Sequence, residues 1–135
     1  MGAPARRNVS SGSPWEPKFG YSRAVRIGPW VLVAGTTGSD ATGKAIGAPG
    51  DAYAQSKAAL DKIEVALKEA GAGMAQVVRT RIFVTRIADF ENVARAHAER
   101  FGDVRPASTL VEVSALVAPD LIVEIEADAY LGNGA

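Results

Sequence analysis

The stretch LIVEIEADAY, residues 121–130, limits the possible folds more than any other part of the chain. Leu121, Val123, Ile125, Ala127 and Ala129 alternate with Ile122, Glu124, Glu126 and Asp128. Successive side chains of a strand point to opposite faces, so this is a strand with one apolar and one acidic side. The apolar side must be covered by other elements. The acidic side cannot enter the core of a single subunit without partners, because buried carboxylates need compensation. A sheet covered on one face only is the economical solution.

The rest of the chain supplies that cover. Residues 1–20 hold Pro4, Pro14, Pro17, Gly2, Gly12 and Gly20 with three serines, which is loop chemistry with a short strand at Arg7 to Val9. About residues 1–14 are expected to be a flexible N-terminal segment of a single domain spanning 1–135. Ser22 to Ile27 and Trp30 to Ala34 read as a hairpin turning at Gly28-Pro29. Asp51 to Ala70 is the clearest helix, with Asp51 as its cap, Tyr53, Leu60, Ile63, Leu67 and Ala70 on one stripe, and Gly71 as a left-handed stop. Val77 to Thr85 reads as a strand with Val78, Thr80, Ile82 and Val84 on one face and Val77, Arg79, Arg81 and Phe83 on the other. A second helix is predicted over Phe90 to Phe101, capped by Asp89, stopped by Gly102 and supported by a Glu91–Arg95 pair. Ala107 to Val113 and Leu121 to Tyr130 are the last strands.

The order strand, strand, helix, strand, helix, strand, strand predicts an α+β domain, one mixed sheet with two helices on one face. The opposite face would carry Arg79, Arg81, Glu112, Glu124 and Glu126 together with Val77, Phe83 and Ile122. Such a mixed face is too charged for a core and too apolar to stay wet, so a homo-oligomer is expected. Lys+Arg and Asp+Glu both number 15, which leaves no net charge to draw nucleic acid or an anionic membrane. There is no cysteine and a single His97, which excludes thiolate chemistry, disulfides and Cys- or His-rich metal sites. No apolar run reaches membrane-spanning length, and MGAPARRN lacks a secretory core, so a cytoplasmic protein is expected.

YSRAVRIGPWVLVAGTTG, GAGMAQVVRTRIFVTRIADFENV and RPASTLVEVSALVAPDLIVEIEADAY together resemble the YjgF/YER057c/UK114 family, also called the Rid family. The resemblance runs from about Gly20 to Tyr130 and is most specific in the closing segment. It implies a chorismate-mutase-like fold, a homotrimer around an inner barrel, and three small-molecule clefts between subunits. It also implies hydrolysis of enamine or imine intermediates to a 2-keto acid and ammonia, with no metal or organic cofactor. Some such proteins only bind small carboxylic acids, and older naming calls them translation inhibitors or endoribonucleases.

Carried over residue by residue, the resemblance makes Tyr21 an aromatic wall of the cleft, Gly35 a backbone amide facing the ligand, and Glu124 the group that positions water. Thr36 stands where many members have Gln, Ala34 where they have Ser, Leu110 where they have Cys, and Ala94 where a neighbouring subunit often brings Asn. The largest departure is Ser108. Deaminating members have an arginine there that forks onto the substrate carboxylate. A hydroxyl in its place forgoes roughly 1.5–3 kcal/mol, which is one to two decades of affinity. Arg105 sits at the wrong offset to compensate.

Each assignment has a plain counterpart. Glu124 is a general base or a carboxylate paired with Arg79 or Arg81. Those arginines either stand in for the missing clamp or form ion pairs with acids on their face. No motif ties a base to Ser108-Thr109, so a Ser–His nucleophile is not expected, and His97 reads as a packing residue. Gly35 to Gly38 lacks the lysine and following helix of a phosphate loop. With Trp15 and Trp30 outside any basic run, nucleic acid is not an expected partner. The expected cleft therefore joins Tyr21, Gly35, Thr36, Ser108 and Glu124. Its expected ligand is a small carboxylic acid or imine, and the alternatives are a non-catalytic metabolite-binding trimer and an endoribonuclease.

Overall fold

The computed structural model describes residues 5–132. Six strands form one sheet: β1 (Arg6–Val9), β2 (Ala24–Ile27), β3 (Trp30–Thr37), β4 (Val77–Val84), β5 (Ala107–Glu112) and β6 (Val123–Tyr130), in the order β1-β2-β3-β6-β4-β5. Only β4 and β5 are parallel, so the sheet is mixed as expected. Three helices accompany it: α1 (Trp15–Phe19), α2 (Ala52–Glu69) and α3 (Phe90–Phe101). The last two form the helical layer, with α2 packed on β3, β6 and α3.

The alternating closing strand does what its sequence requires. Val123, Ile125, Ala127 and Ala129 are buried under the helices, against Leu60, Ile63 and Leu67 of α2 and Val93 and Phe101 of α3 in one core. Asp51 caps α2, its carboxylate accepting from the Ala54 amide at 2.9 Å, and Gly71 follows the helix at φ +88°. Tyr53, placed on the apolar stripe, instead lies at its edge: its ring carries the Arg95 guanidinium at 3.9 Å and its hydroxyl donates to Glu99.

The structure departs from expectation at several points. The short strand read at Arg7 to Val9 is present as β1, one residue longer and paired in register with β2 from Arg6–Ile27 to Val9–Ala24, while residues 1–4 lie outside the described residues. The stretch read as loop also contains the short α1, held by Glu16, whose carboxylate accepts from the Ser10 and Ser11 hydroxyls and the Ser11 amide. A single turn with Pro17 inside it has no periodicity to detect. Asp89 stands at the start of α3, but its carboxylate pairs with Arg86 at 3.0 Å and caps nothing. Gly102 ends the helix in a right-handed conformation. Arg95 sits on Tyr53, on another element from the Glu91 assigned to it.

The open sheet face also needs correction. A bulge between Val77 and Arg79 turns Val77 into the core, because one extra residue reverses the facing of everything before it. Ile122 precedes β6 and is buried, and Glu112 lies in register with Val84 on the helix side, where it accepts from the Ile87 amide. The apolar members of the open face are Trp30, Leu32, Phe83, Val111 and Tyr130, set among Arg79, Arg81, Glu124, Glu126 and Asp128. Arg81 pairs there with Asp128 at 3.3 Å and Glu126 at 3.5 Å. No helix among the described residues is long and apolar enough to cross a membrane.

Candidate functional site

Two polar groups form, and cross-strand register puts them on opposite faces of the sheet. Glu124 is in register with Phe83 of β4, and Phe83 with Val111 of β5. Ser108 is in register with Thr80, and Thr80 with the buried Ala127. Residues directly opposite in a ladder share a face, so Glu124 lies on the open face and Ser108 on the helix side.

The first group is built on a kink in β3. The register with β6 slips between Val33 and Thr36, and the extra residue there bends the strand. Arg23, just before β2, reaches into the kink. Its Nη1 donates to the Gly35 carbonyl at 2.9 Å, to Thr36 Oγ1 at 2.7 Å and, longer, to the Ala34 carbonyl at 3.4 Å. Its Nη2 donates to the Tyr21 hydroxyl at 3.2 Å, and the guanidinium carbon lies 5.5 Å from the Tyr21 ring centre. The Phe19 ring meets Tyr21 edge-on at 5.6 Å. Glu124 closes the corner from β6, its carboxylate lying where a Cβ on Gly35 would have to go.

The electrostatics at Glu124 suit a proton acceptor. Burial raises its pKa above the ordinary carboxylate value, the neighbouring Glu126 charge raises it further, and Arg23 opposes both. A carboxylate whose affinity for protons rises toward neutrality takes a proton from water more readily than a surface glutamate does. The structure thus brings together Tyr21, Gly35, Thr36 and Glu124. The Thr36 hydroxyl is fully buried, accepting from Arg23 and donating to the Ala34 carbonyl, so it shapes the kink rather than facing a ligand.

Ser108 belongs to the second group. Its Oγ accepts from Thr80 Oγ1 at 2.8 Å, and Thr80 Oγ1 is 2.9 Å from His97 Nε2. Ser108 also faces a cavity of about 270 Å³ shared with Ile82, Phe90, Ala94, His97 and Leu110. Arg79 and Arg81 stand on the other face of the sheet, so neither supplies a charge beside Ser108 in the same chain. Arg105 folds back at φ +52°, its Nε donating to the Gly102 carbonyl.

The sequence profile of the family described as Endoribonuclease L-PSP matches residues 13–131. The chain belongs to this family, the YjgF/YER057c/UK114 proteins. The crystal structure of the Mycobacterium tuberculosis family member Rv2704 superposes with a TM-score of 0.85 at 56% identity, covering 93% of this chain and 99% of that one. RutC family protein UK114 of Drosophila melanogaster is 31% identical over 98% of this chain and 95% of its own length. The 3-aminoacrylate deaminase RutC of Acinetobacter baylyi is 32% identical over 91% of this chain and 95% of its own. The YjgF fold expected from the sequence is the fold observed.

Two functional candidates escaped the sequence reading. Arg23 had a usable signal: it lies two residues after Tyr21 in a strand-like stretch and so falls on the same side. The Thr80–His97 bond had none, because the two residues lie on different elements 17 positions apart.

Proposed function

We propose that this YjgF-family chain works as a homotrimer in which Glu124 directs water onto an imine or enamine carbon. The trimer is supported by the open sheet face, where Trp30, Leu32, Val111 and Tyr130 are each more than a third exposed, and by the free edge of β5. Because Ser108 and Glu124 lie on opposite faces, a cleft containing both takes Ser108 from one subunit and Tyr21, Gly35 and Glu124 from the next. An enamine first becomes the imine, its terminal carbon taking up a proton as its nitrogen gives one up. In that cleft Glu124 accepts a proton from water as the oxygen bonds to the C=N carbon and returns it to nitrogen. It then carries the hydroxyl proton of the adduct to the amine as the C–N bond breaks, which leaves a carbonyl and ammonia. Tyr21 covers the substrate, the Gly35 amide and Ser108 hold it, and the cytosol is the expected setting.

The single observation that carries this reading is the half-buried Glu124, its pKa raised by burial, set against Gly35 beside Arg23 and Tyr21. The likeness to the RutC deaminase supports the reaction class, hydrolysis of a small enamine or imine. Activity on the imines of simple amino acids is expected to be weak, because Ser108 offers a hydroxyl where a guanidinium would grip the carboxylate.

The test is ammonia release from freshly generated 2-aminoacrylate, with and without Glu124→Gln. A fall of about a hundredfold or more in the variant is expected for loss of a general base. An unchanged rate removes the proposal. The uncharged surroundings of Ser108 favour one second reading, a non-catalytic metabolite-binding trimer. It gains if no imine is hydrolysed while a small metabolite raises the melting temperature. The ribonuclease of the family's name returns only if RNA cleavage survives Glu124→Ala and extensive purification.

A further inference from the structure

The cavity beside Ser108 differs chemically from a carboxylate site. Its walls, Ile82, Phe90, Ala94 and Leu110, are apolar, and its polar members, Ser108 and His97, are joined through Thr80. No charged side chain lines it among the described residues. Ser108 and Phe90 are exposed in the single subunit, so the next subunit of the proposed trimer must cover the cavity. Moving an anion into the covered site without a cation costs far more than moving a neutral carbonyl that gains a hydrogen bond.

The hydrogen-bond chain fixes what Ser108 can offer. A threonine hydroxyl has one proton, and here Thr80 donates it to Ser108 Oγ. The remaining bond, Thr80 Oγ1 to His97 Nε2, then requires the ring nitrogen to donate. His97 therefore carries a proton on Nε2, as the neutral ring does in one of its two tautomers, and the Ser108 proton is left to point into the cavity. Burial, which holds the imidazole below its ordinary pKa, agrees with the neutral form. Thr80 is fully buried, so its proton has no water to turn to.

We propose that Ser108, Thr80 and His97 form a neutral relay that presents one hydroxyl donor to an uncharged carbonyl, so that this subsite selects a carboxamide, ester or ketone group over a carboxylate. The inference deepens the imine-hydrolase reading by naming the substrate class, and it rests on that reading for the chemistry at the other end of the cleft. Ser108 is the specificity-determining contact. Thr80 and His97 act through it and are positioning residues.

The chain has a single histidine, so the ring nitrogens of His97 report on the relay without overlap in a nitrogen-15 NMR spectrum. The probes are isobutyramide and isobutyrate, nearly equal in shape and opposite in charge, titrated into the intact protein. The amide is expected to bind at least tenfold more tightly and to shift the His97 nitrogens while Nε2 keeps its proton. Thr80→Val keeps the volume and cuts the relay, and should reduce the preference and silence the His97 shift. His97→Leu should also reduce the preference, and His97→Gln, whose amide can still donate to Thr80, should restore it. Sedimentation and melting of each variant show that it is assembled.

Equal or tighter binding of isobutyrate, a Thr80→Val protein whose amide preference is undiminished, or no response of His97 to either probe overturns the proposal. A protein that hydrolyses no imine yet selects the amide removes the hydrolase reading and leaves this subsite standing. A protein that hydrolyses imines with no amide preference does the reverse.

Discussion

The Glu124 carboxylate occupies the space that a side chain on Gly35 would need: a Cβ built on that glycine would stand 3.0 Å from Glu124 Cδ and collide with its Oε2. Gly35 lies in the kinked part of β3 and Glu124 on the adjacent strand, so the kink and the absent side chain together hold the carboxylate at the corner shared with Tyr21 and Arg23.

Gly35→Ala should therefore act on catalysis more than on folding. The colliding atoms are the end of a flexible side chain, which can swing away. We expect ammonia release from 2-aminoacrylate to fall at least tenfold, in line with misplacing a general base, with little change in melting temperature. An equal loss in both would place the strain in the backbone.

Glu124 also makes stability depend on pH in a defined direction. Its folded pKa is raised above 4.5 by burial and by Glu126. Between these two values the folded state binds more protons than the unfolded one, so stability falls as pH rises through that window. Glu124→Gln removes the titrating group and should flatten this slope in denaturant melts taken from pH 4.5 upward. It should also leave the protein more stable than the wild type at neutral pH.

Arg23 ties the kink together through Gly35, Thr36 and Tyr21. Arg23→Met keeps much of the length and loses the donors. The cost should be about 1.5–3 kcal/mol, the range for hydrogen bonds made by a charged group. Its removal also takes away the positive charge that lowers the Glu124 pKa, so the acid limb of the pH–rate profile should move to higher pH. Denaturant unfolding measures the first effect and steady-state kinetics across pH the second.

Leu32 is 45% exposed on the open sheet face, in register with Asp128. Leu32→Glu puts a second carboxylate beside that aspartate, in the patch proposed to close the trimer. Sedimentation should show trimers giving way to single subunits, with imine hydrolysis lost alongside. A trimer that persists would move the interface to another surface.

Asp51→Ala tests the cap of α2. The lost bond to the Ala54 amide should cost about 1 kcal/mol of unfolding free energy and leave the site unaltered.

The sequence by itself determined the elements and their order: the alternation in residues 121–130, the Asp51 cap and the Gly71 stop are local signals, set by period and by the chemistry of helix ends. It also carried the family, through RPASTLVEV and the closing strand, and it singled out Tyr21, Gly35 and Glu124. Only the tertiary structure decided which of these residues meet. The alternation along β5 gives Ser108 and Thr109 opposite faces but not which of them faces α3, and the ladder to Thr80 decides that. A bulge reverses facing without leaving a mark in the local pattern, which is why Val77 was placed on the wrong side and why Arg23 reaches Gly35. The bond from His97 to Thr80 spans two elements brought together by packing alone, and periodicity within either one carries no information about the other.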